Sequence, residues 1–194
     1  MPRITPAKDA GSQLESAVFL SIFPTELGWM GMAGSGFSVQ SIQIGYASEA
    51  AAKKGIKQSL QSSGALPRKL VESDWHPQLR EALQEYSQGT NVRFDEFQLQ
   101  LPARTPFRDK VLAATRAIGY GKVTTYGDLA RSVGHPGAAR AVGTVMSTNR
   151  FPILIPCHRV LAAGGLLGGY TSPAGIDLKR RLLELEQCPE SCFI

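Results

Sequence analysis

"TTYGDLARSVGHPGAARAVGTVMSTN", residues 124–149, is the stretch on which the fold of this chain turns. Thr125 and Asp128 stand at capping-box spacing, with Asp in the acidic place. Tyr126, Leu129, Ala130 and Val133 then share one helical face. After "GHPG" the chain resumes as "AARAVGTVMSTN", a second short helix. Two short helices joined by a glycine-containing turn are the pattern of a helix-turn-helix, and an ordinary helical hairpin reads the same way. Composition favours the first. Ala138, Ala139, Ala141 and Gly143 surround one Arg140, so the second helix is slim and carries a single long cationic arm. Such a helix suits the narrow minor groove of DNA, where one arginine can hold a gap in a base stack.

Directly downstream lies "FPILIPCHRV", residues 151–160, an apolar run ending at Cys157 and His158. A thiol that only packs has no need of an adjacent imidazole, whereas a reactive thiol gains from a base that raises its thiolate population. The last helix, "AGIDLKRRLLELEQ", carries Leu178, Leu182 and Leu185 on one face. Glu186 follows Leu182 by four and Leu183 by three, so it projects from the buried side or its margin, while Glu184 is displaced. An inward carboxylate requires a partner. His158 is one candidate, since a carboxylate on one ring nitrogen orients the other as a base; a salt bridge to Lys or Arg is the other. Upstream, Thr105-Pro106 starts a helix on which Phe107, Val111, Leu112, Thr115 and Ile118 repeat, ending at "GYGK".

Residues 15–101 have a different texture. "SAVFLSIF" and "FSVQSIQIG" read as strands, with "PTELGWMGMAGSG" supplying turn residues between them. "SEAAAKKGIKQSLQ" and "HPQLREALQEYSQG" read as helices, the second closed by Gly89. The intervening "SSGALPRKLVESD" reads as a loop and "DEFQLQL" as a short strand, and Trp75 and His76 read as packing residues. The expected organisation is a flexible stretch at 1–14, a scaffold at 15–101, a helical segment at 102–187 and a loose tail at 188–194 with Cys188 and Cys192. Hydrophobic content of 43% over 194 residues suffices for a real core, and a formal charge of +5 is compatible with nucleic acid without requiring it. The start lacks a secretory signal, no run spans a bilayer, and three cysteines fit a reducing compartment. An intracellular protein is expected, cytoplasmic in a bacterium or nuclear in a eukaryote.

In order and nearly at the right spacing, "TTYGDLA", "AARAVGTVMSTN", "PILIPCHRV", "GGY" and "LKRRLLELE" resemble the O6-alkylguanine-DNA alkyltransferases, or methylated-DNA–protein-cysteine methyltransferases. The resemblance is dense over residues 102–187 and collinear over 15–100, where "TELGWMGMA" sits as the family's first hairpin does. It implies an α/β N-terminal domain, with a small ribonuclease-H-like sheet and helices. A mainly helical, winged-helix-like C-terminal domain with a helix-turn-helix would follow. Cys157 would be the alkyl acceptor, His158 its base through a bound water, and Glu186 the holder of His158. Asn149 would be the hinge between recognition helix and active-site strand. Tyr126 would meet the target's 3′ phosphate and protonate the guanine ring. Arg140 would fill the space of the extruded base, with Ala139 and His135 also at the DNA. Tyr170 and Thr171 would wall the pocket, and the carbonyls of Cys157 and Val160 would read the exocyclic amine. The implied partner is double-stranded DNA bearing O6-alkylguanine, with O4-alkylthymine as a further substrate, bound through the minor groove by a monomer without a cofactor.

Departures from the family pattern are specific. "TSPAGID" is a couple of residues longer than in many members, which bears on tolerance of bulky alkyl groups. Some members hold a structural zinc in the first half, but no cysteine occurs there, so no metal is expected. The fused regulatory domain of adaptive-response members is not expected, nor is a role as a transcription factor. Two other readings compete: an alkyltransferase-like protein that binds lesions without transfer, whose members typically replace the acceptor cysteine, and a thiol hydrolase, which usually brings its histidine from elsewhere in the sequence.

Overall fold

A computed structural model describes residues 17–62, 69–101, 105–189 and 193, so the expected flexible stretch at 1–14 lies outside the described residues. Three strands, β1 (Ala17–Thr25), β2 (Gly28–Ser35) and β3 (Ser38–Tyr46), form an antiparallel meander. Helix α1 (Glu49–Ser62) follows, then β4 (Lys69–Glu72), α2 (Pro77–Ser87) and β5 (Gln98–Leu99). The sheet order is β4-β1-β2-β3-β5, with β4 parallel to β1 and β5 parallel to β3. One face packs Val18, Leu20 and Ala33 against Ile56 and Leu60 of α1. On the other, Met30, Met32 and Ile42 pack with Leu79, Leu83 and Tyr86 of α2.

Two readings of this half are corrected. "PTELGWMGMAGSG" is not mainly turn: β2 pairs with both β1 and β3, and only Glu26 and Leu27 separate it from β1. Its three glycines mask strand propensity, and its burial between two neighbours outweighs that weakness. The stretch read as the loop "SSGALPRKLVESD" contains β4. Ala17–Leu20 of β1 offers a free parallel edge, and pairing with it makes a strand of four residues whose side chains are only half-buried or exposed.

The second half begins as expected. Thr105 Oγ1 accepts from Arg108 N at 3.3 Å, and Pro106 opens α3 (Pro106–Arg116). Thr124–Thr125 (β6) leads into α4 (Tyr126–Ser132), where Thr125 Oγ1 accepts from Asp128 N at 3.0 Å. Helices α5 (Ala139–Ser147) and α6 (Gly175–Leu185) complete the set, with β7 (Val160–Leu161) pairing parallel to β6. Among the described residues no helix is long and apolar enough to cross a membrane.

The apolar run before Cys157 is not a strand. Residues 152–155 turn tightly, Ile155 N donates to Phe151 O at 2.8 Å, and Cys157–Arg159 is a single 3₁₀ turn. Ile153 sits at φ +72°, a conformation costing a β-branched residue about 1–3 kcal/mol. Phe151, Ile153, Leu154 and Ile155 are all buried, and that burial is what the apolar run reflects. The tail is not loose where it is described: Cys188 and Phe193 are buried with Leu161, Leu167 and Leu183. One large apolar cluster joins Phe23, Ile42 and Leu83 of the first half to Val111, Val142, Cys157 and Leu182 of the second.

Candidate active site

Asn149, just beyond α5, organises the turn that carries the thiol. Its Oδ1 accepts from Phe151 N at 3.0 Å, and its Nδ2 lies 2.8 Å from Ile155 O and 3.2 Å from Cys157 Sγ. One amide thus spans the turn from both sides and touches the sulfur. Pairing of β6 with β7 brings Tyr126, the first residue of α4, alongside. Cys157 is buried, yet it lines a cavity of about 450 Å³ together with Tyr126, Gly143, Met146, Ser147 and Tyr170. A small cleft bounded by Asn149, Pro152 and Thr171 reaches the same residue from another direction. The cavity runs against α5, and Gly143 leaves open space where a Cβ would stand.

Behind the thiol lies a buried ionic cluster. His158 Nε2 is 2.8 Å from Glu186 Oε1, with both side chains fully buried. Arg159 donates from Nε to Glu186 Oε2 at 2.9 Å and from Nη2 to Oε1 at 2.7 Å. The two partners weighed for Glu186 are therefore both present. Tyr86 Oη donates to Glu186 Oε1 at 2.5 Å, and Gly121 N to Oε2 at 3.1 Å. Gly121 stands at φ +66°, where a Cβ would lie 2.8 Å from Glu186 O, so glycine is required for this approach. Burial opposes the Glu186 charge, but the hydrogen bonds from His158 and Arg159 and the Arg159 charge prevail and hold its carboxyl well below the usual carboxylate range.

Burial pulls the His158 pKa down, against the pull of Glu186, and the imidazole is neutral at neutral pH. With Nε2–H directed to the carboxylate, the tautomer assigned from this network leaves Nδ1 as a lone-pair acceptor. Nδ1 is buried and has no protein partner. Burial pushes the Cys157 thiol up, offset in part by the Asn149 amide and the Lys179 ammonium. The Tyr170 hydroxyl faces the sulfur without a hydrogen bond of good geometry, and burial raises its pKa well above the ordinary value. The site thus keeps a protonated thiol beside a neutral base.

Of the other expected residues, Arg140 is exposed near the start of α5, and Ala139 beside it is half-buried. His135 is exposed in the α4–α5 turn, edge-on to Phe107 at 5.0 Å. Thr171 is exposed at the rim of the cavity. Val160 O already accepts from Lys179 Nζ at 2.7 Å. Four contributors were not singled out from the sequence: Arg159, Tyr86, Gly121 and Lys179. Lys179 is fully buried, donates also to Leu167 O, and lies 5.8 Å from the Tyr126 ring centre. Burial lowers its pKa to about 8. Its place between Leu178 and Leu182 on an inward face was a usable signal; for Tyr86, 100 positions from Glu186, there was none. Among the described residues no three His, Cys, Asp or Glu side chains converge as a metal site.

Known proteins match this chain in both sequence and fold. A family profile described as "6-O-methylguanine DNA methyltransferase, DNA binding domain" matches residues 106–188. A methylated-DNA–protein-cysteine methyltransferase of Metallosphaera sedula is 43% identical over 117 residues, covering 60% of this chain and 71% of that protein. One from Mycobacterium bovis is 47% identical over 93 residues, covering 47% of this chain and 55% of that protein. A crystal structure of Mycobacterium tuberculosis OGT in complex with DNA superposes with a TM-score of 0.69 at 30% identity, over 87% of this chain and 92% of that one. With Cys157 lining a cavity against α5, and likeness of this extent on both counts, the chain belongs to the methylated-DNA–protein-cysteine methyltransferase family.

Proposed function

We propose that this chain repairs DNA by taking the alkyl group of O6-alkylguanine onto Cys157, once per molecule. The observation that carries the reading is Cys157 Sγ at the wall of a cavity beneath α5, with the buried His158–Glu186 pair beside it. The alkyl carbon of a paired lesion is inside the duplex, so the nucleotide must swing out, and a damaged base leaves the stack more cheaply. Helices α4 and α5 act as the helix-turn-helix, with the small outer face of α5 in the minor groove and Arg140 in the vacated space. His158 Nδ1 takes the thiol proton through a water. The sulfur lone pair then forms the S–C bond as the C–O6 bond breaks, and its electrons return to the guanine. Tyr126 supplies the ring proton that completes the leaving group, and the proton held by His158 returns to Tyr126 through water, so that the thiol proton ends on the guanine. Positioning supplies much of the acceleration, and the Asn149-braced turn provides it. A thioether is not reversed by thiol exchange, so the protein is consumed.

Residues 102–187 form the DNA-binding and alkyl-accepting part on this reading, residues 15–101 its scaffold, and the protein works as a monomer on double-stranded DNA. Lesion binding without transfer is disfavoured by the presence of Cys157 itself. Incubation with duplex DNA containing O6-methylguanine is expected to add one methyl group to the Cys157 peptide, read by mass spectrometry. Cys157→Ala should take up no methyl group while retaining DNA binding. An unmodified peptide after complete binding of the lesion would establish the non-transferring alternative.

A further inference from the structure

A second cavity, of about 490 Å³, opens beside the Cys157 pocket. Helix α1 and β3 form one wall, and α3 with the end of α5 the other; Ser147 and Thr171 belong to both cavities. Two arginines line it. Arg108 donates from Nη1 to Thr148 Oγ1 at 3.0 Å and from Nη2 to Thr148 O at 3.4 Å, but its Nε is buried without a partner. Arg150 has both Nε and Nη1 buried without partners, its guanidinium carbon 6.0 Å from the Phe151 ring centre. Among the described residues no carboxylate lines the cavity. The two cations instead share this lining, and burial together with the Arg108 charge draws the Arg150 pKa down.

Buried guanidinium donors left unpaired are costly, and a pair without a counter-charge is more so. The rest of the lining is neutral and hydrogen-bonding: Gln43, Tyr46, Gln58 and Ser59. Tyr46 is seated against α1 only because residue 55 is glycine, where a Cβ would stand 2.0 Å from the tyrosine hydroxyl oxygen. Planar guanidinium forks match phosphate oxygens, and the volume is that of a small-molecule site.

We infer that this cleft is a phosphate-binding subsite in which Arg108 and Arg150 together hold one phosphate group. Its source is either a phosphodiester of the strand bound for repair, which rests on the repair reading above, or the phosphate of a free nucleotide, which does not.

Two measurements on the full chain separate these. Binding of undamaged duplex DNA is followed as a function of salt for wild type and Arg150→Gln, and a phosphodiester source lowers the slope of log K against log salt by about 0.9 in the variant. Separately, inorganic phosphate and a nucleoside monophosphate are added without DNA at matched ionic strength; a free-phosphate source raises the thermal midpoint of wild type and not of the variant. Reaction of Cys157 with free O6-benzylguanine, which does not engage this cleft, should be unchanged and certifies the variant's fold. Should Arg150→Gln fail that check, Arg108→Gln carries the same expectations. An unchanged salt slope together with no midpoint shift from either probe overturns the subsite. Wild type that binds no DNA overturns the repair reading instead, and the phosphate arm then decides the subsite by itself.

Discussion

Cys157 and His158 are adjacent in sequence and opposite in their electrostatic response to burial. Desolvation raises the thiol pKa and lowers that of the imidazole, so each group is kept neutral. On the proposed reading transfer depends on neutral His158, and its acid limb is expected below the ordinary histidine value of about 6.5. Single-turnover rates with free O6-benzylguanine across pH measure this, and an acid limb centred above that value would contradict the neutral base. Stability has the matching sign. Unfolded His158 takes up a proton near pH 6.5 while the folded residue resists it, so stability falls as pH drops through that window. Glu186, depressed in the fold, adds a second loss below about pH 4.3, where the unfolded carboxylate protonates first.

At the scale of elements, α5 shows what its composition is for. Its buried face is Val142, Val145 and Met146, and its exposed positions carry little beyond Arg140 and small residues. Substituting Arg140 by Ala should leave packing intact, since the side chain is exposed, and reaction with free O6-benzylguanine should be unchanged. Repair of O6-methylguanine in duplex DNA should slow at least tenfold, a loss on the order of 1.4 kcal/mol of transition-state stabilisation. Equal slowing in both single-turnover assays would refute a role in base extrusion. The turn after α5 illustrates a different dependence. Its backbone is held by the Asn149 side chain, so one amide substitutes for the strand ladder that the resemblance implied.

Across the whole molecule, the two textures of the sequence share a core and several hydrogen bonds, among them Ile42 N to Arg150 O at 2.7 Å, Arg116 Nη2 to Phe94 O at 2.8 Å and Tyr120 Oη to Gly89 O at 2.8 Å. Tyr86 of α2 donates to the carboxylate paired with His158, so the first half reaches into the ionic cluster through this hydroxyl. Tyr86→Phe removes that bond and leaves Glu186 its contacts to His158, Arg159 and Gly121. A hydrogen bond to a charged group contributes about 1.5–3 kcal/mol, and the urea midpoint should fall accordingly. A midpoint unchanged within error would mean that the ionic cluster is held from the second half alone.

The sequence by itself determined the helices of the second half, because caps and apolar periodicity are local: Thr105-Pro106, Thr125 with Asp128, and the Leu178–Leu182 face all stand where their spacing put them. It also offered His158 as one of two partners for an inward Glu186, because a buried carboxylate demands one, and the structure has that contact at 2.8 Å. Tertiary structure alone decided the rest. Strands β2 and β4 exist because neighbours supply the pairing that their glycines and short length do not encode. Arg159, Tyr86 and Lys179 joined the site because the fold removed them from water, and a buried polar group must find its partner wherever the chain brings one.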